Sequence, residues 1–159
     1  MQNKTYKIEE ILQEKGVYVG PTVGYSMYPM LKDRRDTIVV RPKTERLLPL
    51  DVALYISDGK YVLHRVLEVV EDGYIIRGDN CFVNEHVLED AVFGVLTEFY
   101  RKDKHYLCTD EKYLRYAEKR VRTFEKRKAR MLRKMKCKNF IKKCLRCFGC
   151  GKNKKSEKN

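Results

Sequence analysis

The stretch 52-VALYISDGKYVLHRVLEVVEDGYIIR-77 decides the fold class. Its β-branched and aromatic runs, Val52–Ile56, Tyr61–Val70 and Tyr74–Arg77, are too short for typical helices and are separated by Asp58-Gly59 and Asp72-Gly73 turns. Such punctuation predicts consecutive strands. Two further runs of the same character, Thr37–Arg41 and Val92–Tyr100, extend the pattern, so residues 17–110 read as a compact, mainly β domain. Ahead of it, Ile8, Ile11 and Leu12 fall at helical spacing and Gly16 supplies a C-terminal cap, predicting a short helix over Thr5–Lys15 within an N-terminal segment 1–16. The 159 residues are enough for one small core plus an appendage. Internal repeats, a Walker loop and a Gly-rich dinucleotide motif are absent from the sequence.

Charge separates the appendage from the rest. Residues 1–110 carry 15 Lys and Arg against 18 Asp and Glu, net −3, whereas 111–159 carry 20 against 4, net +16. Leu114, Ala117, Val121, Phe124, Met131 and Met135 recur at three-four spacing among these bases, so 111–159 reads as a basic amphipathic C-terminal helix running into a Cys/Lys-rich tail. An anionic membrane surface, met through residues 111–148, is the partner this combination fits, with nucleic acid the lesser alternative. No run approaches the roughly 20 apolar residues needed to cross a bilayer, and no leader segment is recognised, so the expected location is cytoplasmic and peripheral at the membrane face.

Chemistry concentrates in three places. Gly24-Tyr25-Ser26-Met27-Tyr28-Pro29-Met30-Leu31 holds a serine in a short, mostly apolar turn, with Gly24 permitting unusual dihedrals and Pro29 restricting its own. His64 lies on the strand Tyr61–Val70, on the face shared by Val62 and Val66. Partial desolvation there suits a general base near neutral pH, a role lysine reaches only after a large pKa shift. The strand Tyr74–Arg77 ends in Gly78-Asp79-Asn80, placing a carboxylate where it could orient the imidazole. His86 and His105 have no comparable setting.

In their order, these segments resemble the serine endopeptidase superfamily of type I signal peptidases and LexA-like self-cleaving repressors, over roughly residues 20 to 100. Ser26-Met27-x-Pro29-x-Leu31 looks like the nucleophile box, Arg35-Asp36-Thr37-Ile38-Val39-Val40 like the next, and Leu50-Asp51-Val52-Ala53-Leu54-Tyr55 like the start of the strand pair that carries the base. His64-Arg65-Val66 resembles the histidine subtype found in endoplasmic-reticulum and archaeal signal peptidases, where most bacterial members and the LexA-like proteins use lysine. Gly78-Asp79-Asn80 looks like the last box, and in the histidine subtype a second acid six residues beyond can be the triad member. That position is Glu85 here, so Asp79 and Glu85 both stand as candidates for the third role.

The resemblance implies Ser26 as nucleophile, His64 as base, an oxyanion met by the Ser26 N–H with a donor near Gly24, and peptide or protein substrates with small residues before the cut. No cofactor follows from it. Two rivals remain: a LexA-like self-processing regulator, and a catalytically inactive binding module using its basic tail on membrane or nucleic acid. No helix-turn-helix domain fits in the roughly 20 residues before Ser26. Cys137, Cys144, Cys147 and Cys150 have partial metal-ligand spacing, but neighbouring lysines oppose a cation, and the expectation is no metal, with Cys81 and Cys108 reduced and partly buried.

Overall fold

Antiparallel pairing of these runs builds the sheet. The computed structural model describes residues 7–135. In chain order it contains α1 (Ile8–Lys15), β1 (Tyr18–Pro21), β2 (Asp36–Pro42), β3 (Val52–Ser57), β4 (Lys60–Val70), β5 (Gly73–Arg77), β6 (Glu85–Leu88), a 3₁₀ turn (Glu89–Ala91), β7 (Val92–Arg101), β8 (Lys104–Leu107) and α2 (Glu111–Arg122). The five anticipated strands are present to within one residue at each end. The helix Ile8–Lys15 closes at Gly16 in the left-handed region, where φ is 67° and the Gly16 N–H reaches Leu12 O. Strands β1, β6 and β8 escape the sequence pattern because each is only four residues long. Pairing with a neighbour, rather than an internal alternation, makes them strands.

The sheet order is β1-β2-β7-β3-β4-β5-β6, with β8 on β7. Irregularities at Val39/Val40, Leu54/Tyr55 and Val66/Glu68 break the ladders. Such bulges bend and twist strands, which lets one sheet curl and bury both of its faces. On one side Ala53, Tyr55, Val66, Tyr74, Ile76 and Val92 form a cluster. On the other, Leu54, Val52, Val40, Leu96 and Phe99 pack with Leu12 of α1 and with Met27, Met30 and Leu31 from the serine turn. Fully burying an aliphatic side chain of this size contributes about 1.5–3 kcal/mol, so the serine turn is held by its own apolar residues.

The boundary expected at residue 110 falls elsewhere. Residues through Arg122 form one compact unit and those from Thr123 a second. Helix α2 buries Tyr113 and Ala117 in the core, whereas Leu114, assigned to the apolar stripe, is 38% exposed. Tyrosines with buried polar tips carry the inner face, which a hydrophobic period does not detect. Counted at the structural boundary, residues 1–122 hold 20 basic and 20 acidic side chains, and 123–159 hold 15 and 2, so the second unit carries the whole +13. Its described part is helical over 124–135. There the Arg127 and Lys128 charges lie 5.9 and 5.6 Å from the Phe124 ring centre. Residues 136–148 of the expected membrane-binding segment and the four tail cysteines lie outside the described residues. Among those described, no helix is long and apolar enough to cross a membrane.

Candidate active site

Ser26 opens the turn 26–30 between β1 and β2. Gly24 bends the chain into it with φ +93°, and its N–H donates to Asp33 Oδ1 at 2.7 Å. Gly24 therefore supports the turn, but its own amide is engaged and cannot meet an oxyanion. The peptide bond Tyr28–Pro29 is cis. Beneath the turn, Met27 and Met30 are 3% and 1% exposed. Their sulfurs accept from Asp79 N–H at 3.5 Å and from Arg65 Nη2 at 3.2 Å. The Ser-Met-x-Pro-Met sequence thus fastens the serine turn to the end of β5 and to β4.

Gly78 shows how closely the parts meet. A Cβ on Gly78 would fall 2.7 Å from Ser26 O, 2.8 Å from Cys81 Sγ and 2.9 Å from His64 Nε2. Only a residue without a side chain allows that approach, and Asn80 N–H donates to Ser26 O at 2.7 Å beside it. Ser26 and His64, 38 residues apart in sequence, are thereby brought to the same point. Among the described residues, Ser26 Oγ makes no hydrogen bond to the ring; such contacts commonly tighten only when substrate is bound.

His64 is 5% exposed. Its Nδ1 lies 3.0 Å from Glu85 Oε1 and 3.0 Å from the Tyr55 hydroxyl, which donates to Glu85 Oε2 at 2.8 Å. Burial lowers the His64 pKa from its ordinary value, and Glu85 first, then Asp79, partly offset this. The ring is therefore neutral near pH 7, the state a base requires.

Of the two candidate acids, the structure places Glu85 at the imidazole. Asp79 faces Arg65, whose Nε and Nη2 donate to its two oxygens at 2.9 Å each, with 1% and 3% of the side chains exposed. Arg65 also donates to Leu50 O and to the Tyr113 hydroxyl, Tyr116 donates to Asp79 Oδ2, and Arg120 donates to Asp79 O. The separation follows from strand geometry. Consecutive residues on β4 point to opposite faces, so His64 and Arg65 cannot share one carboxylate network. Glu85 arrives through β6, where it pairs with Ile76, which in turn pairs with Val66 on the His64 face.

A cleft of about 990 Å³ opens at this point, and Ser26, His64, Glu85, Asp58 and Lys60 line it together with apolar residues such as Leu31, Ile38 and Leu54. Thr22 is 6% exposed and its Oγ1 has no hydrogen-bond partner. Sequence reasoning missed Thr22, Gly78, Tyr55 and Cys81. Gly78 and Tyr55 left a trace as members of segments that resemble family boxes, without a role of their own, whereas nothing pointed to Thr22 or Cys81 as part of the site. No group of three metal-ligating side chains occurs among the described residues. No protein-family model matches the chain, and no curated protein matches it.

Proposed function

We propose that this protein is a serine endopeptidase of the signal-peptidase type, histidine subtype. The observation that carries the reading is the meeting of the Ser26 main chain and His64 Nε2 at Gly78, inside an apolar cleft, with Nδ1 held by an acid. His64 Nε2 takes the Ser26 hydroxyl proton as Oγ attacks the scissile carbonyl. The Ser26 N–H faces the oxyanion, and Glu85 stabilises the imidazolium. His64 then returns the proton to the leaving amine, and water activated by the same nitrogen releases the acyl group from Ser26. An extended peptide with small residues before the cut fits a cleft whose walls are mostly apolar, with the Thr22 hydroxyl as a polar partner.

Ser26→Ala and His64→Ala should each lower cleavage of a peptide substrate by roughly 10⁴-fold, with the double variant little worse, because nucleophile and base act as one unit. Near-native turnover in either single variant would sink the mechanism. Intact mass after incubation separates the self-processing alternative, which requires the chain itself to be cut.

The concentration of the whole net charge in 123–159 supports a second activity for that unit, adsorption to anionic lipid. Co-sedimentation with vesicles should require acidic lipid and weaken with salt. Tighter binding to RNA than to anionic vesicles at equal salt would reassign the partner.

A further inference from the structure

A buried phenol stands beside the imidazole without any part in the steps above. Tyr55 is 2% exposed and packs its ring edge-on to His64, with centroids 6.0 Å apart. Its hydroxyl is within hydrogen-bond reach of both His64 Nδ1 and Glu85 Oε2. Building on the proposed peptidase reading, we infer that Tyr55 is a positioning residue: its hydroxyl donates to Glu85 and accepts from His64 Nδ1–H, holding the carboxylate on the ring and with it the tautomer whose Nε2 lone pair faces Ser26.

The assignment follows from counting protons. Three short contacts join the Tyr55 oxygen, His64 Nδ1 and the two oxygens of Glu85. With Glu85 ionised, only Tyr55 and the imidazole can supply hydrogens. If the phenol donated to Nδ1, the Tyr55 and Glu85 oxygens would face each other at 2.8 Å with no proton between them, and Glu85 Oε1 would face a nitrogen lone pair at 3.0 Å. When the phenol donates to Glu85, the Nδ1–H is shared between Oε1 and the phenolic oxygen, and every contact contains a hydrogen. Burial, followed by Glu85, raises the phenol pKa well above its ordinary value, so the donor keeps its proton. The fold also aims the ring. His64 pairs with Ala53, two residues from Tyr55 on the same face of β3, and the ladder between β3 and β7 is irregular at Leu54/Tyr55.

Tyr55→Phe retains the ring and removes only the hydroxyl. Nitrogen-15 spectra of the histidine side chains in the full chain, with His64 assigned by its loss in His64→Ala, should show one Nδ1–H tautomer in the unaltered protein and, in Tyr55→Phe, where Glu85 loses the donor that holds it on the ring, a mixture. Turnover should fall about 10- to 100-fold with KM unchanged. A variant that keeps the single tautomer and turnover within about twofold of the parent would overturn the inference. The tautomer is read without any substrate, so it judges Tyr55 even if the Ser26 and His64 variants refute the peptidase reading. Should Tyr55→Phe not fold, the unaltered protein still decides: a His64 Nδ1–H resonance showing magnetisation transfer to the Tyr55 ring supports the arrangement, and an Nε2–H tautomer rejects it.

Discussion

His64 and Arg65 are neighbours on β4, yet the polar clusters around them differ in what they leave open. Around Arg65 the polar groups converge: its guanidinium meets both oxygens of Asp79, a main-chain carbonyl, a tyrosine hydroxyl and a methionine sulfur. The charges are paired and almost fully shielded from water. Around His64 the partners gather on one ring nitrogen, while the other lies against Gly78 at the cleft. A closed ion pair holds the serine turn and α2 on the strand. An open imidazole with one face anchored can move a proton. The difference assigns a structural task to one face and a chemical task to the other, although both use a basic side chain, a carboxylate and tyrosine.

The most severe test of that division is where the chain can be cut. Deleting 111–159 removes Tyr113 and Ala117 from the core and both tyrosine hydroxyls from the Arg65–Asp79 pair. The loss should be on the order of 5 kcal/mol or more, combining aromatic truncation with unpaired buried polar groups. That is comparable to the whole stability of many domains, so this variant should unfold or aggregate. Deleting only 123–159 should leave cleavage of a short soluble peptide largely unchanged while abolishing vesicle binding. A cooperative thermal transition in the longer deletion would contradict the role given to α2.

Exchanging the acids should separate the two clusters. Glu85→Gln should lower turnover about 10²- to 10³-fold with little change in melting temperature, because it spoils only the imidazole's partner. Asp79→Asn should do the reverse, costing about 3–5 kcal/mol by leaving Arg65 buried and unpaired, with turnover per folded molecule less affected. Denaturant titration and single-turnover kinetics on the same preparations check both. Equal, mild effects would leave a Ser-His dyad without a third member.

The smallest effect is on pH dependence. Burial is the leading cause of the lowered His64 pKa, and the base must be neutral, so kcat/KM should fall only as pH drops through a value below 6.5. Glu85→Gln removes the largest opposing influence and should move this acid limb further down. An upward movement would show that the carboxylate does not act on His64 as described.

β-branched and aromatic runs between Asp-Gly turns in 52–77 made β3, β4 and β5 legible, because both signals lie in residues adjacent in sequence. The methionines around Ser26 and the histidine on a strand were legible for the same local reason. The sequence alone could not choose between Asp79 and Glu85, since both follow the same strand within a few residues. That choice belongs to register: β6 carries Glu85 onto the His64 face, while Asp79 meets Arg65 across the other. It likewise could not place the unit boundary, because the inner face of α2 is made by tyrosines whose hydroxyls find buried charges only after β4 and β5 have paired. What the sequence by itself determined was therefore the mainly β class, the segments bearing a serine and a histidine, and the separation of charge. Tertiary structure alone decided which acid and which tyrosines surround them, and how closely they meet at Gly78, because hydrogen bonds between distant strands depend on a register that no local pattern encodes.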